Sequence, residues 1–167
     1  MAVSTYDSKV IIDRIIANLK LDTNIFDADG KDEKISTILF GDPPGQKWLA
    51  QDRPYIAVAP GEPFELSDEP VFVAKQGEES PKSRITLQFF ITCVVDGSLI
   101  EDTLATDLAF RKLLKEFFKN NPKMKDNAGN NPLFHKSRTT ITPKFIRNKS
   151  DVISAFTVIL QAEVMST

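Results

Sequence analysis

Apolar positions recur along this chain in two rhythms. Val10, Ile11, Ile12, Ile15, Ile16 and Leu19 follow a helical spacing, with Asp13, Arg14 and Asn18 between them. The spacing predicts an amphipathic helix that Ser4 or Asp7 caps. β-Branched isoleucines are poor helix formers, so packing on a sheet must hold it. Residues 83 to 95 instead alternate. Ile85, Leu87, Phe89, Ile91, Cys93 and Val95 point one way, and Arg84, Thr86, Gln88, Phe90, Thr92 and Val94 the other. That is a strand with one fully apolar face for the core and one mixed face open to a second chain.

The turn Asp96-Gly97 leads to Ser98-Leu99-Ile100-Glu101, a capping-box pattern for a second helix that runs to about Lys119. Leu104, Leu108, Leu114 and Phe117, with Ala105, Phe110, Leu113 and Phe118 beside them, give it a broad apolar stripe. Arg111, Lys112, Lys115 and Lys119 gather toward its C-terminal end, as the helix dipole favours, and Asn121-Pro122 stops it. Two strands follow. Thr139 to Arg147 contains Pro143 and reads as an edge or bulged strand. Asp151 to Val164 puts Val152, Phe156, Val158, Leu160, Ala162 and Val164 on one face, with Ser154 the exception. Asn148-Lys149-Ser150 turns between them.

Residues 22 to 83 have another texture. They hold seven of the ten prolines, which argues against long helices and central strands. Tyr55 to Ala59, bracketed by Pro54 and Pro60, predicts a short strand; Val71 to Ala74 is a second apolar piece left within a loop. Residues 61 to 82 are expected to pack poorly on their own domain and to become ordered by a neighbour. The whole reads as one α+β domain over residues 1–167, with a loop-rich, proline-rich insertion at about 22–83. The expected order is αββαββ, an antiparallel or mixed four-stranded sheet with two helices on one face. A core of Ile15, Leu19, Leu87, Phe89, Ile91, Leu104, Leu108, Phe117, Phe156 and Val158 follows.

Composition then excludes several classes. The chain has 167 residues, 41% hydrophobic and 26% charged, with a net charge of −2. It is too apolar for disorder and carries no global pull on nucleic acid or anionic membrane. No apolar run approaches the ~20 residues of a bilayer span, and the first residues do not resemble a signal peptide, so a soluble protein of a reducing compartment is expected. Cys93 is the sole cysteine and His135 the sole histidine. A disulfide or a four-ligand Cys/His zinc site cannot form within one chain, and Cys93 reads as a small buried hydrophobe.

Catalytic motifs are missing. Gly41 to Lys47 (GDPPGQK) lacks the spacing of a phosphate loop, and its prolines remove amides that would cradle phosphate. The Asp27 to Asp32 stretch has a calcium-loop flavour without the closing glutamate. No enzyme activity, cofactor or metal is expected. Charge placement is more informative. Residues 60 to 80 carry Glu62, Glu65, Asp68, Glu69, Glu78 and Glu79 against Lys75, a sum of −5. Residues 133 to 150 carry Lys136, Arg138, Lys144, Arg147 and Lys149 with no acid, a sum of +5. Either the two are solvated or meet within one subunit, or the acidic stretch of one subunit meets the basic hairpin of the next. Phe90 and Val94 on the mixed strand face are the candidates for the apolar part of that contact.

In order, size and pattern the chain resembles the tail terminator proteins of long-tailed bacteriophages and, more broadly, the tail-completion proteins of contractile and injection tails. The features are an Ile-rich helix ending in Leu19-Lys20-Leu21 and followed by Asn24-Ile25-Phe26, the strand Arg53 to Pro60 (RPYIAVAP), the long strand 83–95, a helix closing in Leu113-Leu114 and Asn121-Pro122, and two final strands. Extra length between residues 27 and 53 departs from the pattern. The resemblance implies a structural virion protein of the tail or neck, assembled in the host cytoplasm. Its hexameric ring would cap the tail tube, end tube polymerisation and join the tail to the neck or connector, with DNA only passing through the lumen and no membrane involved. The other readings are a different tail or neck component (tube, connector or baseplate) and a small ferredoxin-like enzyme or ligand-binding domain.

Overall fold

A computed structural model describes residues 8–41, 54–71, 82–97, 99–126, 131–147 and 152–165. Helix α1 (Ser8–Leu21) buries Ile11, Ile12, Ile15 and Leu19. It is followed by strands β1 (Thr37–Phe40), β2 (Tyr55–Val71) and β3 (Lys82–Gly97), helix α2 (Ile100–Asn120), and strands β4 (Lys136–Arg147) and β5 (Val152–Met165). The sheet order is β1-β2-β3-β5-β4. β1 runs parallel to β2, and the other neighbours are antiparallel.

The α+β class agrees with the alternating and helical patterns, but the sheet has five strands where four are predicted. Thr37–Phe40 is the additional one, so the order is αβββαββ. Four residues show too little alternation to stand out in a proline-rich region. The second correction is β2, which does not end at Ala59. It continues to Val71 and stays paired with β3 from Glu65↔Leu87 to Val71↔Lys82. The loop expected over residues 61–71 is therefore strand, while residues 72–81 and the Phe72 to Ala74 part of the apolar piece lie outside the described residues. Two bulges interrupt the pairing: residues 61–64, which include Pro63, stand opposite Gln88, and Leu66 is inserted between Glu65↔Leu87 and Ser67↔Thr86, while Pro60 and Pro70 stay paired on a strand that is an open edge beyond Val58. Gly61 has to be glycine here. A Cβ on it would sit 2.6 Å from Gln88 Cγ, too close to be accommodated without a shift.

Both helices contribute to one core cluster with the inner face of the sheet, including Ile56, Val58, Leu87, Phe89, Ile91, Phe156, Val158 and Leu160. Phe89 is its hub. Phe64 meets it edge-on with ring centres 5.5 Å apart, and Phe134 lies 6.2 Å away. Of the expected core, Leu104 and Leu108 are exposed at 40% and 61%. The buried face of α2 is instead Thr103, Asp107, Phe110, Leu114, Phe117 and Phe118. Asp107 is tolerated there because it is paired: Ser154 Oγ donates to Asp107 Oδ2 at 2.6 Å, and Arg111 forms an ion pair with Asp107 Oδ1. The Arg111 guanidinium also lies 5.4 Å from the Phe156 ring centre.

The capping expectations fall partly outside the described residues, which include neither Ser4, Asp7 nor Ser98. Leu99 is the N-cap of α2, without a side-chain cap bond. Asn18, a polar position on α1, has a structural task. Its amide donates to Arg14 O and Lys125 O and accepts from Lys125 N, tying α1 to the segment after α2.

Candidate assembly interface

The candidate surface lies at the end of the sheet that β1 does not reach. β1 pairs only with Tyr55 to Val58. Beyond that point the sheet has four strands in the order β2-β3-β5-β4. Among the described residues the distal half of β2 is one open edge and β4 the other. The cross-strand row Ser67–Thr86–Glu163–Lys136 marks this end, as the pairing registers align these residues. Three strand spacings of ~4.8 Å put the two edges about 14 Å apart.

The two edges carry opposite charge. Glu62, Glu65, Asp68 and Glu69 are exposed on β2, and none of them forms an ion pair among the described residues. Lys136 and Arg138 are exposed on β4 at this end, whereas Lys144 and Arg147 lie further along the same strand at the end that β1 reaches, away from the acidic half of β2. Glu78, Glu79 and Lys149 lie outside the described residues. The chain thus brings its acidic and basic stretches to opposite margins of one sheet.

The outer face between these edges is polar. Arg138 Nε donates to Gln161 Oε1 at 2.6 Å, Gln161 Nε2 to Gln88 Oε1 at 3.3 Å, and Gln88 Nε2 to Pro63 O at 3.3 Å. This relay spans all four strands and links the basic margin to the bulge on the acidic one. Beside it, the nearly buried Glu163 carboxylate pairs with Arg84 at 3.1 Å and Lys136 at 3.7 Å. Lys136 is therefore partly neutralised within its own subunit, and Arg138 is the freer cation. A groove of about 470 Å³ runs over this face, with Leu66, Ser67 and Thr86 on one side and Lys136, Arg138 and Glu163 on the other.

Sequence reasoning missed Arg84, Gln88, Gln161 and Glu163. Their signal was present as polar residues at alternate positions on two strands, but only the register shows that they adjoin Lys136 and Arg138. The two apolar candidates also separate. Phe90 is half-buried, opposite Ala59 and Ile159. Val94 is fully buried, in a second cluster with Tyr55, Ala57, Ile153 and Ala155. Its side chain offers no free surface, which corrects its place among the contact residues.

Cys93 is fully buried on the inner face, where burial and then the Asp107 charge push its thiol well above the usual range. It pairs with Phe156, whereas His135 bonds to Glu163, seven residues further along β5. At ~3.4 Å per residue the two are about 24 Å apart along the sheet, too far to act as a pair. Among the described residues no three His, Cys, Asp or Glu side chains are grouped to hold a metal ion. In comparisons with known proteins, no family model and no curated protein matches this chain.

Proposed function

We propose that this chain is a structural virion protein that assembles head-to-tail into a ring, capping the tail tube of a phage-like particle and presenting its other side to the neck or connector. The observation that carries the assembly part is the pair of oppositely charged open edges on one sheet. Matching an acidic edge to a basic edge of the next copy gives a heterologous contact, and such contacts close into rings when the rotation permits. The tail-terminator part rests on the resemblance in element order and size. A ring of about six copies follows from that resemblance and from the closure rule.

Direct strand addition is not the mode of contact. Pro63 and Pro70 on β2 and Pro143 on β4 lack amides, and the charges beside them resist indiscriminate edge pairing. Side chains therefore carry the contact. Exposed ion pairs contribute about 0.2–1 kcal/mol each, so apolar groups such as Leu66 and Phe90 must supply much of the affinity. The groove favours a second reading, a small ligand-binding domain, because its volume is in the range of small-molecule sites.

Native mass spectrometry and imaging of the purified chain test the assembly. Arg138→Glu with Arg147→Glu should weaken ring formation, and more at low salt than at high salt, where screening has already weakened the wild-type contacts. A double variant that assembles as readily as wild type at low salt would exclude the charge-register mechanism. Locating the chain in particles tests the placement: a terminator occupies one ring per tail, a tube protein many.

A further inference from the structure

We propose that the exposed face of α2 docks a second copy of this chain, the two helices packing antiparallel about a two-fold axis near Thr106. Glu101, Leu104, Ala105, Leu108, Lys112 and Lys115 follow one another at steps of three or four residues and so share one helix face. All six are exposed. The buried face of α2 lies on the opposite side and is already used by the core. The exposed stripe is thus acidic at its start, apolar in its middle and basic at its end.

That order is self-complementary only in the antiparallel sense. Setting Leu104 against Leu108 of a second copy, and the reverse, brings each Glu101 level with the other copy's Lys112 to within one residue. Ala105 leaves room for the helices to approach. A two-fold contact repeats every such pairing, so one apolar patch and one charge pair become two of each. The contact covers about three helical turns, less than the ~1,200 Å² of a stable interface, so it forms a weak dimer alone. Copies within one head-to-tail ring are related by the ring rotation, so this two-fold contact forms between free chains or between two rings, not between neighbours in one ring. It uses none of the sheet-edge residues and does not depend on the ring.

Sedimentation equilibrium of the full chain at low salt, run in the wild-type and Arg138→Glu backgrounds, tests it. Leu108→Glu should weaken dimerisation by about a hundredfold or more, since it places two carboxylates in the apolar centre. Glu101→Lys and Lys112→Glu alone should each weaken it by about two- to thirtyfold. The combined Glu101→Lys/Lys112→Glu chain should recover to within about threefold of wild type, because each new lysine again faces a glutamate. These positions are exposed, so circular dichroism should stay unchanged. A chain that is monomeric at ~1 mM overturns the proposal. So does a combined swap as weak as either single change. If Leu108→Glu leaves self-association intact and abolishes capture of a different protein, the face belongs to that protein and the proposal fails.

Discussion

Phe89 shows how much of the core rests on single side chains. It is fully buried on β3, with Phe64 from the acidic end of β2 edge-on to it and Phe134 from the segment before β4 beside it. Phe89→Ala should cost about 3–5 kcal/mol in denaturant unfolding, and Phe156→Ala a similar amount. Asp107 is a different residue-scale device. Removing its carboxylate strands the Ser154 hydroxyl and leaves Arg111 without its partner, so Asp107→Ala should destabilise by about 1–3 kcal/mol. Ser154→Ala removes one bond from a carboxylate that keeps Arg111, and should cost less in the same measurement. Neither role was legible in the sequence. Asp107 does not stand out in the sequence pattern, and Ser154 reads only as an exception on an apolar strand face. Each is explained only by the other.

Among the elements, α2 and β2 depart most from the pattern. α2 has apolar residues on two overlapping phases. One runs through Leu104 and Leu108, the other through Phe110, Leu114, Phe117 and Phe118. In the sequence the two merge into one broad stripe, which places Leu104 and Leu108 in the core together with Phe117. Tertiary pairing decides for the second, since a buried carboxylate is tolerated once Ser154 and Arg111 satisfy it. β2 is missed for the reverse reason. Its prolines and acids are poor strand formers, yet the two bulges keep it paired with β3. Amides of residues 64–69 that bond to β3 should exchange slowly even in the isolated subunit. Uniformly fast exchange there would mean that β2 ends at Pro60. Gly61→Ala should loosen the same segment by displacing Gln88, which bonds to Pro63 O.

At the scale of the molecule, the charge segregation seen along the chain becomes a polarity of the sheet. Strand order carries Glu62, Glu65, Asp68 and Glu69 to one margin and Lys136 and Arg138 to the other. The intervening strands hold the margins about 14 Å apart, and the side-chain relay through Gln88 and Gln161 bridges them. A rigid scaffold with opposite charges on its two open edges is suited to ordered association, because the separation is fixed by the sheet and not by loops.

The sequence by itself determined the α+β class, both helices, the long strand β3, the closing strands β4 and β5, and the two charge clusters. These depend on local periodicity and composition, which a linear chain displays directly. Tertiary structure alone decided that Thr37–Phe40 joins the sheet, that β2 runs on to Val71, which phase of α2 is buried, and that Glu163 takes up Lys136. In each case the deciding partner is remote in sequence: β2 for β1, β3 for β2, Ser154 for Asp107, Arg84 and Lys136 for Glu163. No local pattern encodes a contact whose energy is supplied by a residue outside the local window.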